Sequence, residues 1–495
     1  MRRPLLDLGA QAVPVLSQLI ERIFLTGLLV QRLGVGQFER WSLINATVTL
    51  LTMIDLGTQI TFSNRMTRAA HRGDTDQAVA IFRQSNSIFA MLGALVAVAA
   101  IAIASSAPLQ IWLGMNPALT ASEQLVALCL GGSVAVKLAM TNASGVYRAN
   151  MAFGRGTIIS SAGEMLRIFV AIAVLLIFQT MAALAVAIFV TTVITNAVVI
   201  PLDLARRFER FAWSWRRPQS LTTHNTFGES LLFASSFLPT IVLTQIPIMM
   251  IGSRAAQGVL ASYVLLRTIA NIVRSLSQRV TFILGMELSR LEAQERHDEL
   301  EASYRKLAAL IALAFGIGCA LLWAWGGRLL HLWAGSSVTY EPLLLAVMLA
   351  PLVIIPGTQL NLPLLTYGHR PGSFAIAVVL QTAGAALLAI FLPVQSIALR
   401  LSLALSLAEV LLLAPVIIYA TRRMIGRAAT RAVLPDLLTA LGAAGATLLV
   451  SLFVQRYSAG LTGMVLAAGL TAILAFPLLF VMTRSLLRSL ETARG

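Results

Sequence analysis

Apolar windows about 20 residues long recur along the whole chain, separated by short polar segments. A helix of that length crosses the hydrocarbon core of a bilayer, which is about 30 Å thick. Fourteen windows fit this length, at residues 5–30, 38–62, 85–106, 122–143, 157–178, 181–204, 228–251, 259–285, 305–326, 342–366, 373–392, 396–420, 434–454 and 462–483. The pattern predicts an all-α polytopic membrane protein with about 14 transmembrane helices, numbered here as spans one to fourteen. An even number of spans places both termini on the same side of the membrane.

Two sequence motifs occur once in each half of the chain at almost the same separation. Leu109–Gly114 reads LQIWLG and Leu330–Gly335 reads LHLWAG, and the two lie 221 residues apart at the outer ends of spans three and nine. Similarly, Arg32–Gly36 opens span two and Arg254–Gly258 opens span eight. Six spans separate the copies, so both halves have the same topology and are related by an axis along the membrane normal.

This repetition predicts two pseudo-symmetric six-helix lobes around a central cleft, followed by two extra C-terminal helices. The N-lobe, with spans one to six, covers residues 1–215, and the C-lobe, with spans seven to twelve, covers residues 216–421. Residues 422–495 hold spans thirteen and fourteen and a cytoplasmic C-terminus. Two lobes that rock about a cleft form a transporter architecture.

Charge and composition agree with a membrane protein and fix its orientation. Hydrophobic residues make up 58% of the 495, charged residues only 12%, and the net charge is +16. Of the 37 basic residues, 25 lie in the segments that share a side with the termini, and six lie in the opposite segments. Cytoplasmic loops carry such an excess of Arg and Lys. The sequence therefore predicts a multi-pass membrane protein with both termini in the cytoplasm, and it explains the basic charge without a nucleic-acid partner.

Several ionisable side chains lie inside the spans, where a charge is costly and usually faces a cavity or a partner. Arg267 and Arg274 are seven residues apart on span eight, so both project from one face of that helix. Span eight itself carries no acid for them. The other buried charges are Glu21 and Arg22 in span one, Asp55 in span two, Lys137 in span four, Glu164 and Arg167 in span five, and Glu409 in span twelve.

Three of the arginines are predicted to bind an anionic substrate. Arg22 lies at a depth similar to that of Arg267, and Arg274 continues the cationic face inward. A planar guanidinium that is always charged suits phosphate oxygens, so Arg22, Arg267 and Arg274 predict a phosphate or pyrophosphate site. The alternative for an adjacent acid and base, such as Glu21 and Arg22, is a structural ion pair.

The remaining charges have predicted supporting roles. For Glu164 and Arg167, three residues apart, the local ion pair is the favoured interpretation. Glu21, Asp55, Lys137, Glu164 and Arg167 together are predicted to be supporting charges of the cavity. Glu409, which lies alone near the middle of span twelve, is the candidate residue for a coupling proton or cation.

The sequence lacks the motifs of membrane enzymes and pumps. No Gly-Lys dipeptide occurs, so there is no Walker A loop for ATP. The five histidines lie in predicted loops or at span ends without zinc-ligand spacing, and the outer loops are too short for a catalytic domain. The prediction is a protein that is not an enzyme and that uses neither a cofactor nor a metal.

Four short motifs resemble the polysaccharide-exporter (Wzx-type) branch of the MOP superfamily. They are Arg32–Gly36, Asp55-Leu56-Gly57, Arg72-Gly73-Asp74 and Trp112-Leu113-Gly114. The resemblance implies a flippase that turns an undecaprenyl-pyrophosphate-linked oligosaccharide from the cytoplasmic to the periplasmic leaflet. It also implies that the lipid bilayer and the polysaccharide polymerase machinery are partners.

Related functions of the same superfamily remain open alternatives. Lipid II flippases have an acid–Arg pair on span one and an Arg on span eight, which Glu21-Arg22 and Arg267 resemble, but their Arg on span two has no counterpart here, where Asp55 lies instead. A MATE-like multidrug exporter, coupled to protons or sodium, would need buried acids in excess. Away from the span ends, however, the spans hold five bases and only four acids: Arg22, Lys137, Arg167, Arg267 and Arg274 against Glu21, Asp55, Glu164 and Glu409. A membrane scaffold without transport activity, or a subunit of a membrane enzyme, is the third alternative.

Overall fold

The computed structural model describes residues 20–55, 57–211, 224–367, 371–426, 428–458 and 462–475, together with Ser17 and Gly460. Every regular element in these ranges is a helix, which confirms the all-α prediction. The chain divides into two compact units, Met1–Ala261 and Ser262–Gly495.

The first unit contains eleven helices and four short π- or 3₁₀-helical segments. The α-helices are α1 Thr26–Leu33, α2 Val35–Leu50, α3 Thr58–His71, α4 Thr75–Ser105, α5 Ala107–Trp112, α6 Ala121–Met140, α7 Ala143–Ala149, α8 Phe153–Phe178, α9 Met181–Val193, α10 Ile200–Arg207 and α11 His224–Arg254. π-helical turns at Glu21–Leu25 and Ile194–Val199 continue directly into α1 and α10.

In the second unit, the described residues again form long helices and shorter helices separated by brief gaps. They are α12 Val259–Ala293, which begins just before the unit boundary, α13 His297–Ala334, α14 Pro342–Ile354, α15 Thr358–Tyr367, α16 Pro371–Phe391, α17 Ile397–Ala408, α18 Ala414–Ile425, α19 Ala428–Arg431, α20 Val433–Tyr457 and α21 Thr462–Ala475. A π-helical turn at Glu409–Leu413 joins α17 to α18.

Eight of the described helical stretches are long and apolar enough to cross a membrane, and nine if the bent pair Val35–Asp55 and Thr58–His71 counts as one span. Every predicted window overlaps a helix in the described part of the chain. The multi-pass architecture is therefore established, whereas the number fourteen remains a prediction.

Irregular positions recur in both halves of the fold. The helix of span four is interrupted between Met140 and Ala143, and that of span ten between Ile354 and Thr358. Spans six and twelve each contain a π-helical turn in their middle, at Ile194–Val199 and Glu409–Leu413. Shared interruptions at corresponding spans support the two pseudo-symmetric lobes. The lobe boundaries at 215 and 421 remain predictions, and the contact-based boundary after Ala261 groups α11 with the first unit.

Glycines end or bend the helices where the repeated motifs lie. Gly114 and Gly335 terminate their helices with φ of +87° and +80°, a left-handed conformation that favours glycine. Gly34, between α1 and α2, has φ of +80°, and Gly258, just before α12, has φ of +93°. Gly114 and Gly335 thus occupy the same position of their motifs, whereas Gly34 is the third residue of Arg32–Gly36 and Gly258 the fifth of Arg254–Gly258.

The helices pack through small residues and leave an apolar surface for lipid. A Cβ on Gly93 of α4 would lie 2.8 Å from the Ala135 carbonyl of α6, so the backbones of these helices approach closely. Met91, Leu95 and Val98, on another side of α4, are more than half exposed. Exposed apolar side chains at helical spacing are what a lipid-facing surface requires, because hydrocarbon offers no polar partner.

Candidate functional site

Four charged side chains of the first unit form one alternating ion-pair network, in which Arg167 is largely buried and the other three are partly exposed. Lys137 on α6 donates from Nζ to Glu164 Oε1 at 2.7 Å, and the other Glu164 oxygen, Oε2, lies 2.7 Å from Arg167 Nε on the same helix, α8. Arg167 also reaches Glu21 in the first π-helical turn, with 2.8 Å between Nη2 and Oε1. The network thus contains two bases and two acids from three helices, and its formal charge is zero.

Two cavities adjoin this network, and Lys137 lines both. The first has a volume of about 250 Å³ and is also lined by Glu21 and Arg167. The second has a volume of about 380 Å³ and is also lined by Glu164. Each cavity is large enough for several water molecules or one polar ligand group.

The larger cavity has a lining rich in neutral hydrogen-bonding groups. Thr157, Ser160 and Glu164 follow one another at spacings of three and four residues along α8, so they share one face of that helix. The neutral polar residues that line the cavity are Gln59, Thr141, Ser144, Thr157, Ser160 and Asn196. Only the charged members of this site were predicted from the sequence. The neutral polar residues could have been predicted from the helical spacing of hydroxyl side chains within otherwise apolar spans.

Asp55 lies outside the network and has a local structural contact. Its Oδ1 accepts hydrogen bonds from the Thr58 hydroxyl at 2.6 Å and from the Gln59 backbone N–H at 3.2 Å. Gly57, which has φ of +73°, forms the bend between the short helical segment that ends at Asp55 and α3, which begins at Thr58. The carboxylate thus satisfies a free N–H at the start of α3, as capping side chains do.

In the second unit, Arg274 and Glu409 form a bidentate ion pair. Arg274 Nη1 and Nη2 donate to the two oxygens of Glu409 at 2.7 and 2.9 Å. The expectation that Arg274 lacks an acid, because span eight carries none, is therefore wrong: its acid comes from span twelve. Glu409 is therefore paired with a base. This contact does not test the coupling role predicted for Glu409, which remains a prediction.

Arg267 occupies a separate position on α12. Its guanidinium carbon lies 5.8 Å from the centre of the Tyr263 ring, which is almost fully buried. This distance permits a cation–π interaction. The side chain of Arg22 lies outside the described residues, so the predicted pyrophosphate site of Arg22, Arg267 and Arg274 remains a prediction.

The fold is similar to those of solved membrane transporters, among them a lipid flippase and multidrug transporters. A lipid II flippase, MurJ, in an inward closed conformation, matches with a TM-score of 0.71 at 9% sequence identity, over 95% of this chain and 100% of that chain. An inward-facing multidrug resistance MATE-family transporter of the MOP superfamily gives a TM-score of 0.64 at 13% identity, over 86% and 99%. The Vibrio cholerae MATE transporter VcmN in its bent form gives 0.53 at 16% identity, over 87% and 96%. No protein-family model and no curated protein matches the sequence.

Proposed function

We propose that this protein is a flippase that moves an undecaprenyl-pyrophosphate-linked oligosaccharide from the cytoplasmic to the periplasmic leaflet, for surface polysaccharide synthesis. The resemblance of its short motifs to Wzx-type exporters supports this substrate, and the likeness of its fold to a lipid flippase over 95% of the chain supports the type of transport. The location is the bacterial inner membrane with both termini in the cytoplasm, as the distribution of basic residues predicts.

The pairing of the intramembrane acids is the observation that argues against an organic cation as the substrate. Three of the four predicted intramembrane acids, Glu21, Glu164 and Glu409, each contact a Lys or Arg within 2.8 Å. Their negative charge is therefore neutralised by the protein. A site for an organic cation needs an acid whose charge is still available. These three acids do not provide one.

The larger cavity of the first unit supports the polar part of this substrate. Its hydroxyl and amide side chains can both donate and accept hydrogen bonds, as the hydroxyl groups of a sugar require. A polar surface of this kind inside a membrane protein lowers the cost of bringing a hydrated headgroup away from water. The cavity is the proposed contact region for the first sugars of the oligosaccharide.

Transport of this substrate would follow from electrostatics and alternating access. Unaided transfer of a pyrophosphate through hydrocarbon costs on the order of tens of kcal/mol by Born solvation. Cationic side chains lower that cost while the polyprenyl tail stays in lipid. A membrane potential that is negative inside favours outward movement of an anion by about 2.3 kcal/mol per charge per 100 mV. ATP is then not required.

A MATE-like multidrug exporter is the second candidate, and one observation favours it. Asp55 contacts Thr58 and Gln59 without an ion pair among the described residues, so it is the one of the four predicted acids that could attract a cation. The fold also matches a MATE transporter with a TM-score of 0.64. A lipid II flippase is a further alternative, since the fold does not distinguish the sugar.

Native mass spectrometry of the purified protein with undecaprenyl pyrophosphate tests the proposal. We expect the wild type to retain the lipid, and an Arg22→Ala/Arg267→Ala variant to bind it at least about tenfold more weakly, which is about 1.4 kcal/mol. Arg254→Ala is the matched control, because Arg254 is exposed at the end of α11. Wild-type protein that binds ethidium but not the lipid would refute the flippase assignment and support the drug exporter.

A further inference from the structure

The tenth span is interrupted inside the second unit. α14 ends at Ile354 and α15 begins at Thr358, with Pro356 and Gly357 in the gap. Proline has no backbone N–H, so the helical hydrogen-bond ladder cannot continue through it. Non-helical backbone at membrane depth is tolerated where it is buried in protein or lines a cavity, and such interruptions coordinate cations in several transporters.

A small cavity adjoins this interruption. Its volume is about 10 Å³, which is room for about one water molecule. Oxygen-bearing side chains from three helices line it: Tyr304 on α13, Thr358 and Asn361 on α15, and Asp436 on α20. The Tyr304 hydroxyl donates to Asn361 Oδ1 at 2.7 Å, which holds these two side chains together at the cavity.

Asp436 is the unusual member of this group. Its side chain is buried, with the residue only 4% exposed, and it lies beside the interruption, because a Cβ on Gly357 would come 3.3 Å from Asp436 Oδ2. Among the described residues, its carboxylate has no hydrogen bond and no ion pair. Tyr304 is the other titratable side chain that lines the cavity in the described part of the chain.

A buried carboxylate without a base cannot remain an isolated anion. Ionised and unpaired, it would suffer a desolvation penalty of at least several kcal/mol, so the group binds a proton or a cation instead. The single negative charge matches a monovalent ion, and the cavity has room for one. Glu409, by comparison, already has its charge balanced by Arg274.

We propose that Asp436, with Asn361 and the interruption of span ten, forms a binding site for one monovalent cation, either a proton on the carboxylate or a sodium ion. The bound cation would connect spans nine, ten and thirteen, because the oxygen-bearing side chains of the lining come from those three helices. The inference does not depend on the transported substrate. It provides a coupling-ion site distinct from the one predicted at Glu409.

Thermal unfolding of the purified protein separates the two cations. In one arm, sodium replaces choline at constant ionic strength and constant pH. In the other arm, sodium is absent and the pH is lowered from mildly alkaline to mildly acidic. We expect the wild-type Tm to rise by about 2 °C or more in one arm, because a ligand that binds the native state stabilises it. Asp436→Asn should abolish that rise, since the amide has no charge to balance.

Two further variants keep the test decisive. Asp298→Asn is the matched control, because Asp298 is an exposed acid in the first turn of α13 and should keep the full response. Gly357→Ala leaves every charge in place and puts a methyl group against Asp436 Oδ2, so it should weaken the response even if Asp436→Asn does not fold. A wild-type Tm that responds to neither cation, or an equal response in Asp436→Asn, would overturn the proposal.

Discussion

The bidentate pair between Arg274 and Glu409 allows a quantitative prediction for Glu409→Gln. The Glu409 side chain is 9% exposed and that of Arg274 is 28% exposed, so removal of the carboxylate charge leaves a largely buried guanidinium without its acid. Breaking a buried ion pair in this way costs about 3–5 kcal/mol. Because Arg274 retains some solvent contact, we expect the lower end, about 3 kcal/mol. For a unit of this size, the loss corresponds to a decrease in Tm of about 6 °C or more.

The assay is thermal unfolding in detergent, followed by the fluorescence of the seven tryptophans. The matched double variant Arg274→Gln/Glu409→Gln removes both charges, and it should recover at least half of the lost stability, because no buried charge then remains uncompensated. A Glu409→Gln protein with wild-type Tm would refute this reasoning. If that protein also lost its response to protons or sodium, the coupling role predicted for Glu409 would be supported instead.

Three further changes test the contacts that organise the two units, each by the same unfolding assay. Arg167→Met leaves Glu21 without its base and Glu164 with Lys137 alone; because both carboxylates are more than a third exposed, we expect a loss of about 1–3 kcal/mol, between the values for exposed and buried pairs, and a wild-type Tm would contradict this expectation. Asp55→Ala removes the acceptor at the start of α3 and should cost about 1 kcal/mol, whereas Asp55→Asn should cost less. Gly316→Ala drives a methyl group into the facing helix and should lower the Tm, whereas Gly442→Ala, which meets open space, should not; equal effects would contradict the close packing of these helices.

The sequence was sufficient for properties that depend on neighbours along the chain. Runs of apolar residues predict helices that can cross a membrane, because every backbone group in lipid must be satisfied within its own segment. The repeated Trp-x-Gly motifs predict the outer ends of spans three and nine, and helices end there at Trp112 and Ala334, each closely followed by a glycine with positive φ. The ion pair of Glu164 and Arg167 was also accessible, because residues three apart on a helix are neighbours.

Partners on different helices could not be predicted in the same way. Glu21 and Arg22 are adjacent in sequence, yet Glu21 pairs with Arg167 on α8, and Arg274 finds its acid 135 residues away at Glu409. No role was predicted for Asp436 from the sequence, because an acid in the first turn of a helix is common. Only the packing of α20 against the interruption of span ten makes it a buried, unpaired carboxylate.

The sequence by itself thus determined the helical membrane architecture, the two-fold repetition of motifs and the excess of basic residues on one side. Within the residues that the structure describes, the tertiary structure decided which charges neutralise each other, where the cavities lie and which carboxylate lacks a base. The physical reason is the difference in sequence separation between the residues whose interactions matter. Helix formation and membrane insertion follow from local hydrogen bonding and from apolar surface summed over about 20 residues, whereas the energy of a buried charge depends on whichever helix packs beside it.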